Sequence, residues 1–404
     1  MKFVFLSLRK NILPFLFFLL AICLVIFSKT NLEAAKNGLI LWANNVVPSL
    51  FPFFVVTELL SHTNFIYYVG KVFDKIMKPL FNVPGECAFA FIMGLISGYP
   101  TGGKIVANLR EQGICTKDEC DRMLAFTNNS GPLFIISFVG ISLFGDTKTG
   151  ILLLATHVLA GITVGIMLAK LSSKNAKNIP LLSTKSVNNI SKKEAVTFSN
   201  FGKILGKSIQ DAISTILMIG GFVVIFSVII SILNQSKLLD LGSQLLKPIL
   251  SVFGFNLEFA KPILGGIIEL TNGVNMASSI PMKAISQNVI LCAFLLGFGG
   301  ISVLFQISAL LGKTDLSMKK YIIGKLLQGT IASIYTFLAL NFIPTLSLDI
   351  APTCAPIAEI IASPFNFLGI SNYLILLFVI TFIVCIVFSF PNRKRRAKYV
   401  KRKC

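Results

Sequence analysis

The 404-residue sequence is poor in charge, since only 13% of its residues are Asp, Glu, Lys or Arg while 54% are hydrophobic. Soluble domains carry about 25% charged residues, and the mean hydropathy here is +0.80. A soluble protein of this composition would lack the polar surface needed to cover itself. Soluble globular, disordered, collagen-like and coiled-coil proteins are therefore excluded. A polytopic membrane protein remains, and its main partner is the lipid bilayer.

Catalytic equipment is also scarce. The chain has two His residues, no H-E-x-x-H or G-x-S-x-G motif, and no close pair of intramembrane aspartates. Residues 98–104 carry the letters of a phosphate-binding loop, but Ile105 stands where the Mg²⁺-binding Ser or Thr is required. The eight Cys residues are scattered, and no His accompanies the close pair Cys115 and Cys120. These absences predict a protein that is not an enzyme, with no metal and no cofactor.

Acidic residues are far fewer than basic ones, 17 against 37, which gives a net charge of +20. In a membrane protein such an excess indicates basic cytoplasmic loops and not a nucleic-acid partner. The basic residues concentrate in the first ten residues, in a linker over residues 170–193 and in the tail from Arg393, whereas residues 343–370 contain neither Lys nor Arg. Both termini and the linker are therefore predicted to be cytoplasmic.

Charge-free runs predict where the chain crosses the membrane, because a helix needs about 20 apolar residues to do so. Eight runs approach that length, and the last span is placed at residues 372–390. The runs are bounded by charged residues at 10 and 29, 36 and 58, 122 and 146, 148 and 170, 211 and 237, 283 and 313, 325 and 349, and 359 and 393.

Two further apolar stretches, over residues 84–108 and 257–282, are interrupted in the middle by turn residues at 97–103 and 269–273. Each arm is then about 11 residues, or half a bilayer. Both stretches are predicted to be re-entrant helical hairpins, whose exposed backbone is tolerated only inside protein or beside water.

The hairpins and their flanking motifs recur at a spacing of about 170 residues, which indicates an internal repeat. The repeat covers about 37–169 and 209–343, with the two halves oppositely oriented. The predicted fold is an all-α integral membrane protein with about eight transmembrane helices and two re-entrant hairpins in an inverted repeat, a transporter architecture. Its predicted segments are 1–36 (first helix), 37–170 (first repeat), 171–202 (basic linker), 203–343 (second repeat), 344–370 (outer loop), and 371–404 (last helix and tail).

The first hairpin suggests an anion site. Its glycines let backbone approach a ligand, the second arm begins with free N–H groups, and Lys104 adds a positive charge. The alternative is a tight turn with Lys104 at the membrane interface. The candidate binding residues here are Ser97, Gly98, Tyr99, Thr101, Gly102, Gly103 and Lys104.

The broken span after this hairpin contains Asn128, Asn129 and Ser130, followed by Pro132, which removes a backbone hydrogen bond. The Asn amides are expected to contact a polar substrate; alternatively, they replace the missing backbone partners. His157 is expected to be a packed residue.

Glu269 lies in the second hairpin, where an intramembrane carboxylate is a functional candidate by default. It is a candidate site for a coupling proton or Na⁺, or for hydrogen bonds from substrate; the alternative is a salt bridge to Lys261 or Lys104. The remaining candidate binding residues are Thr271, Asn272 and Asn275 beside it, and Ser302 and Gln306 in the matching broken span.

The strings MGLISGYPTG (residues 93–102) and NNSGPLF (residues 128–134) resemble the sporulation integral membrane protein family. That family carries nucleoside-recognition gate domains and is related to concentrative nucleoside transporters. The resemblance implies transport of dipicolinate, a small aromatic dicarboxylate, across the outer forespore membrane, at a site lined by the gate hairpins. Nucleoside or nucleobase transport, a structural protein of the spore-forming machinery and, less favoured, a membrane-embedded lipid enzyme are the alternatives.

Overall fold

The computed structural model describes residues 2–63, 65–172, 200–252, 254, 257–281, 286–312 and 314–342. In these residues the chain forms helices and no β-strand. The helices of the first half are α1 (Lys2–Ile26), α2 (Ser28–Leu41), α3 (Val47–Ser61), α4 (Phe65–Phe81), α5 (Cys87–Ser97), α6 (Thr101–Glu111), α7 (Lys117–Thr127) and α8 (Thr147–Ser172). Those of the second half are α9 (Phe201–Gln235), α10 (Leu238–Val252), α11 (Ala260–Ile268), α12 (Leu270–Ser278), α13 (Ser286–Phe298), α14 (Gly300–Leu311) and α15 (Met318–Phe342).

Four stretches of the described chain are long and apolar enough to cross a membrane: Thr147–Leu171, Phe201–Gln235, Ser286–Leu311 and Met318–Phe342. The bent pair Pro14–Ile26 and Ser28–Asn44, with a 99° angle between its parts, makes a fifth if it counts as one span. The prediction of an all-helical membrane protein is confirmed. The count of eight spans stays a prediction, and the last of them, at residues 372–390, lies outside the described residues.

Large apolar side chains face outward along the long helices. In water such exposure would be unfavourable, whereas in lipid it is the expected surface. Examples are Phe15, Phe17 and Phe18 on α1, Leu217 on α9, and Phe337 and Phe342 on α15.

Both predicted hairpins are present. Helices α5 and α6 pack against each other across a break at residues 98–100, and α11 and α12 do the same across Glu269. In the second hairpin the close approach needs glycine, because a methyl group on Gly273 would overlap the backbone of Gly266. In the first, a methyl group on Gly94 would lie 3.1 Å from the Cα of Gly102 and would overlap the Thr127 carbonyl of α7. Each arm is only nine to eleven residues long, too short to span a bilayer.

Two broken helices accompany the hairpins. In the first half, α7 ends at Thr127 and a π-helix, Leu133–Leu143, begins after Pro132. In the second half, α13 and α14 meet at Gly299 and Gly300, which have φ angles of +85° and +79° that favour glycine. A π-helical segment is often found at functional sites, and a second one, Trp42–Val46, joins α2 to α3.

The order of elements is the same in the two halves. Each has an apolar span, an amphipathic helix with a proline near its end (α4 and α10), a hairpin, a broken helix and a final span (α8 and α15). The two hairpins are interrupted at Gly98 and at Glu269, positions about 170 residues apart. The two broken helices are interrupted at Asn128 and at Gly299, which are separated by the same distance in the sequence. The opposite orientation of the halves in the membrane stays a prediction.

The two halves pack against each other through the hairpins and the broken helices. Helix α6 of the first hairpin packs against α14, and α12 of the second hairpin packs against the π-helix Leu133–Leu143. Helices α8 and α15 pack side by side, as do α3 and α9. Each hairpin therefore touches the broken helix of the other half, which brings all four breaks close together.

Two of the span boundaries predicted from charge are wrong. The charge pattern predicts that a span begins after Lys325, but α15 begins at Met318 and Lys325 is fully buried inside it. Similarly, Arg122 is buried within α7, which begins at Lys117. Charge marks a boundary only when the charged group reaches water, and both of these side chains find polar partners inside the protein instead.

Candidate functional site

A cavity of about 80 Å³ lies where the four breaks meet, with space for several water molecules. Both hairpin tips and both broken helices contribute to its wall, together with α3, α9 and the π-helical segment Trp42–Val46. It is lined by Val46, Leu50, Gly98, Tyr99, Ser130, Gly131, Phe134, Ile219, Val223, Glu269, Leu270, Thr271, Ser302, Val303 and Gln306. The wall is thus mostly apolar with a few polar groups, as in most small-molecule sites.

The tip of the first hairpin forms one side of the cavity. Gly98 has a φ of +77°, and a methyl group there would fall 2.7 Å from the backbone nitrogen of Gly131. Next to it, the Tyr99 hydroxyl donates to the carbonyl oxygen of Leu296 at 3.0 Å. This hydrogen bond ties the first hairpin to α13 of the other half and holds the ring in the cavity wall.

The tip of the second hairpin carries Glu269, which is buried. Its carboxylate accepts hydrogen bonds from the backbone N–H groups of Thr271 (3.1 Å) and Asn272 (2.8 Å), and from the Asn272 side-chain amide (3.0 Å). Glu269 is therefore the N-cap of α12, where a negative charge also meets the positive end of the helix dipole. The expected alternative, a salt bridge to Lys261 or Lys104, is wrong: Lys261 pairs with Asp240 and Lys104 with Glu58.

Lys104 lies in the second arm of the first hairpin but does not line the cavity. Its ammonium forms an ion pair with Glu58 on α3 and donates to the Thr215 hydroxyl on α9 at 3.2 Å. Close by, the hydroxyls of Ser97 and Thr57 are 3.2 Å apart. These contacts attach the hairpin to the two helices beside it, so the Lys104 charge is already compensated within the protein.

The remaining candidates of the first hairpin pack against the first broken helix and the second half. A methyl group on Gly102 would overlap the Thr127 carbonyl, and one on Gly103 would overlap the Ile307 side chain. The hydroxyl of Thr101 is buried and has no hydrogen-bond partner among the described residues.

In the first broken helix, only Ser130 of the three predicted polar residues lines the cavity. The Asn128 amide donates to the Tyr321 hydroxyl at 2.7 Å, and its oxygen accepts from the N–H of Gly103 at 3.4 Å. The Asn129 amide donates to the Phe126 carbonyl at 2.8 Å. The side-chain amides of Asn128 and Asn129 therefore form hydrogen bonds within the protein. The buried Ser130 hydroxyl, in contrast, has no hydrogen-bond partner among the described residues.

In the second half, Ser302 and Gln306 lie one turn apart on α14 and both line the cavity. Asn272 faces Glu269 and also donates to the Ser227 hydroxyl on α9 at 3.3 Å. Asn275 is different, because it is exposed on α12 and does not reach the cavity. The structure thus brings together Gly98, Tyr99, Ser130, Glu269, Thr271, Ser302 and Gln306 of the predicted site.

A buried polar group behind the cavity was not predicted. Lys325 and Gln328 lie one turn apart on α15, and the Gln328 amide donates to the Asn129 side chain at 2.7 Å and to the His157 carbonyl at 3.3 Å. His157 is packed, as expected, and its Nε2 accepts from the N–H of Ser130 at 3.2 Å. The available signal was the spacing of Lys325, Gln328 and Gly329 on one apolar helix.

The comparisons with known proteins give the same class that the fold and cavity define. The family model of the Gate domain, described as nucleoside recognition, matches residues 43–169 and 216–314. These two segments contain both hairpins and both helix breaks. The chain is a Gate-domain integral membrane protein of the multi-pass type.

A relative specifies the family further. The chain is 35% identical over 329 residues to the sporulation integral membrane protein YlbJ of Bacillus subtilis (strain 168), an alignment that covers 80% of each chain. The protein therefore belongs to the family of sporulation integral membrane proteins that carry nucleoside-recognition gate domains, as the resemblance of the two sequence strings had indicated.

Proposed function

We propose that this protein is a transporter that moves a small anionic aromatic metabolite, dipicolinate, across the outer forespore membrane during sporulation. One observation carries the proposal: a single cavity is built from the tips of both hairpins and the breaks of both interrupted helices. Discontinuous helices that meet at one site are typical of secondary transporters, because their ends present unpaired backbone groups to a substrate.

The lining suits a flat polar ligand. Tyr99 and Phe134 offer aromatic surface, while Ser130, Ser302 and Gln306 offer hydroxyl and amide groups around it. The Ser130 hydroxyl has no partner among the described residues, so it is available to donate to a carboxylate. A planar pyridine with two carboxylates matches this combination of aromatic surface and hydrogen-bond donors.

Glu269 is the element that does not suit a dianion, since it places a carboxylate in the same wall. We propose that it binds a coupling proton or Na⁺, which neutralises it when the substrate is present. Transport would then be driven by the ion, and it would proceed by movement of the hairpins in an inverted repeat of eight spans with both termini cytoplasmic.

The test is uptake of radiolabelled dipicolinate by proteoliposomes that contain the purified full-length protein, with unlabelled uridine as competitor. We expect uptake that excess uridine does not reduce. A Ser130→Ala, Ser302→Ala double variant that stays folded is the matched control, and it should take up much less. Failure of the wild-type protein to take up dipicolinate would contradict the proposal and favour a structural role in the spore-forming machinery.

Nucleoside transport is the second candidate, because the matching family model is described as nucleoside recognition. The same amide and hydroxyl groups of the cavity would then bind a ribose or a base. Uptake of labelled uridine, or complete competition by uridine against dipicolinate, would favour this candidate.

A further inference from the structure

Helix α15 contains a buried lysine whose hydrogen-bond partners are neutral. Lys325 is completely buried in α15, where its ammonium donates to the backbone carbonyl of Asn128 at 2.8 Å and to the side-chain oxygen of Gln328 at 2.7 Å. Both partners are neutral, and in the part of the chain that the structure describes no carboxylate pairs with it.

The other buried or bridging lysines behave differently. Where the described chain forms ion pairs through lysine, the lysine side chain keeps some exposure and its partner is an aspartate or a glutamate; the lysines concerned are Lys78, Lys104, Lys261 and Lys320. An ammonium buried with neutral partners only is costly, and such intramembrane charges mark functional sites. Lys325 differs from these four lysines because it is fully buried and its hydrogen-bond partners are neutral.

Lys325 is next to the cavity. Its ammonium lies 5.0 Å from the centre of the Tyr99 ring, and Tyr99 forms part of the cavity wall. The second contact, the Asn128 carbonyl, is two residues before Ser130, which lines the same side. The ammonium is thus one side chain behind the wall, close enough for its field to act on a ligand across a water-poor interior.

The groups around Lys325 are also consistent with an anionic ligand. The N–H of Ser130 donates to Nε2 of His157, so the proton of the neutral imidazole lies on Nδ1, and that atom is buried without a partner among the described residues. His157 does not line the cavity, but the Ser130 hydroxyl does, so on this side the wall offers a hydroxyl donor with the Lys325 ammonium behind it. Glu269 lies on another part of the wall, at the second hairpin.

We infer that Lys325 is the residue that selects an anionic substrate, and that a carboxylate of the bound substrate is its missing counter-charge. The inference rests on the proposed transport function, and it assigns to Lys325 the role that the sequence had suggested for Lys104. Lys325 acts through the Tyr99 side of the wall and sets the preference of the cavity for negative charge.

If Lys325 served only to fix the helix break at Asn128, its substitution would affect ligand binding in a different way. Its loss would weaken the binding of every ligand to a similar degree, because the shape of the cavity would change. Loss of a selecting charge weakens the binding of charged ligands alone. The ratio of affinities for a charged and an uncharged ligand of one shape therefore separates the two roles.

The experiment measures binding of three pyridines to the purified full-length protein: the 2,6-dicarboxylate, the 2-monocarboxylate and the uncharged 2,6-dicarboxamide. We expect wild-type protein to bind them in that order. Lys325→Met should weaken dicarboxylate binding by about ten- to a hundredfold and leave the dicarboxamide nearly unchanged.

Two variants serve as controls. Lys320→Met makes the same substitution on the same helix at an exposed ion pair, and it should leave all three affinities unchanged. Gln328→Met disturbs the hydrogen bonds around Lys325 but keeps its charge, and it should change the affinities for dicarboxylate and dicarboxamide by similar factors.

Thermal unfolding and size exclusion verify that each variant is folded. Should Lys325→Met fail to fold, Lys325→Gln, which keeps a donor for the Asn128 carbonyl, takes its place. A folded variant with the wild-type ratio of affinities, or a wild-type protein that binds the dicarboxamide as well as the dicarboxylate, would overturn the inference while uptake of dipicolinate still stood. A wild-type protein that binds none of the three would contradict the proposed function, and the inference with it.

Discussion

The two hairpins have the same backbone design but differ in how they hold their charge. In the first, Lys104 is turned away from the cavity and bound to Glu58 and Thr215 on the adjacent helices. In the second, Glu269 stands at the break itself, in the cavity wall, and caps its own helix. Both hairpins therefore use a lysine for attachment, Lys104 in the first and Lys261 in the second, but the second also places a charged residue in the cavity wall.

The attachments differ accordingly. Ser97, Tyr99 and Lys104 connect the first hairpin to α3, α13 and α9 by side-chain contacts. The second hairpin is attached through Lys261, which pairs with Asp240 on α10 at 2.9 Å, and through the Ala277 carbonyl, which accepts from the Asn288 amide of α13 at 3.0 Å. Its contact with α9 is the hydrogen bond between Asn272 and Ser227, at 3.3 Å. The two hairpins therefore have similar backbones but different side-chain contacts, and single substitutions can test the role of each contact.

The largest effect is expected from the hairpin glycines that pack directly against neighbouring backbone. Gly94→Ala would place a methyl group against the Thr127 carbonyl, and Gly273→Ala would place one against the Gly266 backbone. Each should lower the free energy of unfolding by about 3 kcal/mol or more, because the neighbouring atom is backbone and cannot move away. Thermal unfolding in detergent measures the loss.

Gly206→Ala is the control, because nothing lies within 4 Å of a methyl group at that position of α9. It should be neutral or slightly stabilising. If Gly94→Ala and Gly273→Ala unfold at the temperature of the wild-type protein, the close approach in the hairpins is contradicted.

The next effect concerns the ion pair of the first hairpin. Lys104→Met or Glu58→Gln alone should cost about 1–2 kcal/mol of stability, less than the loss from a fully buried pair, because both side chains retain some exposure. The double variant should recover most of this loss, since neither charge is then left without its partner. A double-mutant cycle on thermal unfolding gives the coupling energy.

A coupling energy near zero would show that the pair contributes nothing to attachment. A folded double variant that takes up dipicolinate normally would confirm that Lys104 is not a substrate ligand. Loss of uptake in that folded double variant would instead indicate that Lys104 takes part in substrate binding.

For the second hairpin, Glu269→Gln should cost about 1 kcal/mol as the cap of α12 weakens, but its effect on transport should be much larger. Without the carboxylate, uptake against a gradient should disappear while exchange of internal for external dipicolinate continues. Both are measured in proteoliposomes with and without an imposed H⁺ or Na⁺ gradient.

Glu119→Gln is the matched control, since Glu119 forms a capping box with Thr116 at the start of α7, away from the cavity. It should lose similar stability and keep gradient-driven uptake. If Glu269→Gln retains uptake against a gradient, Glu269 is a structural cap and does not couple an ion.

The smallest effects are expected from the hydroxyls that attach the hairpins. Ser97→Ala removes a buried contact with Thr57 and should cost about 1 kcal/mol. Ser227→Ala should cost about half of that or less, because the Asn272 amide keeps its hydrogen bond to Glu269. Equal losses in thermal unfolding for both variants would contradict the expected difference between these two hydroxyl contacts.

Much of the fold could be predicted because turn residues interrupt apolar runs. The string Ser97 to Gly103 and the residues around Glu269 cannot continue an apolar helix, so both hairpins were located within a few residues of their observed breaks. The number of spans could not be obtained in this way, because a buried charge such as that of Lys325 does not mark the membrane surface.

Most of the predicted polar residues that line the cavity, such as Glu269, Ser130 and Ser302, lie at or next to a break. Gln306 also lines it from within α14, whereas Asn128 and Asn129 lie at a break but do not line it. The partners of the other polar residues are far away in the chain: Lys104 meets Thr215, and Asn129 meets Gln328. Apolar residues of the wall, such as Ile219, carry no signal in a sequence that is apolar throughout.

Protection of single cysteines by the substrate tests most directly whether both halves form one anion site. A thiol reagent is applied to Ser130→Cys on the first broken helix, to Ser302→Cys on the second, and to the exposed Asn275→Cys as the reference, each in the full-length protein. We predict that dipicolinate slows labelling at Ser130→Cys and at Ser302→Cys, and that half of the maximal protection occurs at the same dipicolinate concentration at both positions. Uridine should not slow labelling at either position, and labelling of Asn275→Cys should be unaffected. Protection at neither cavity position, or equal slowing at Asn275→Cys, would contradict a shared site for a small anion.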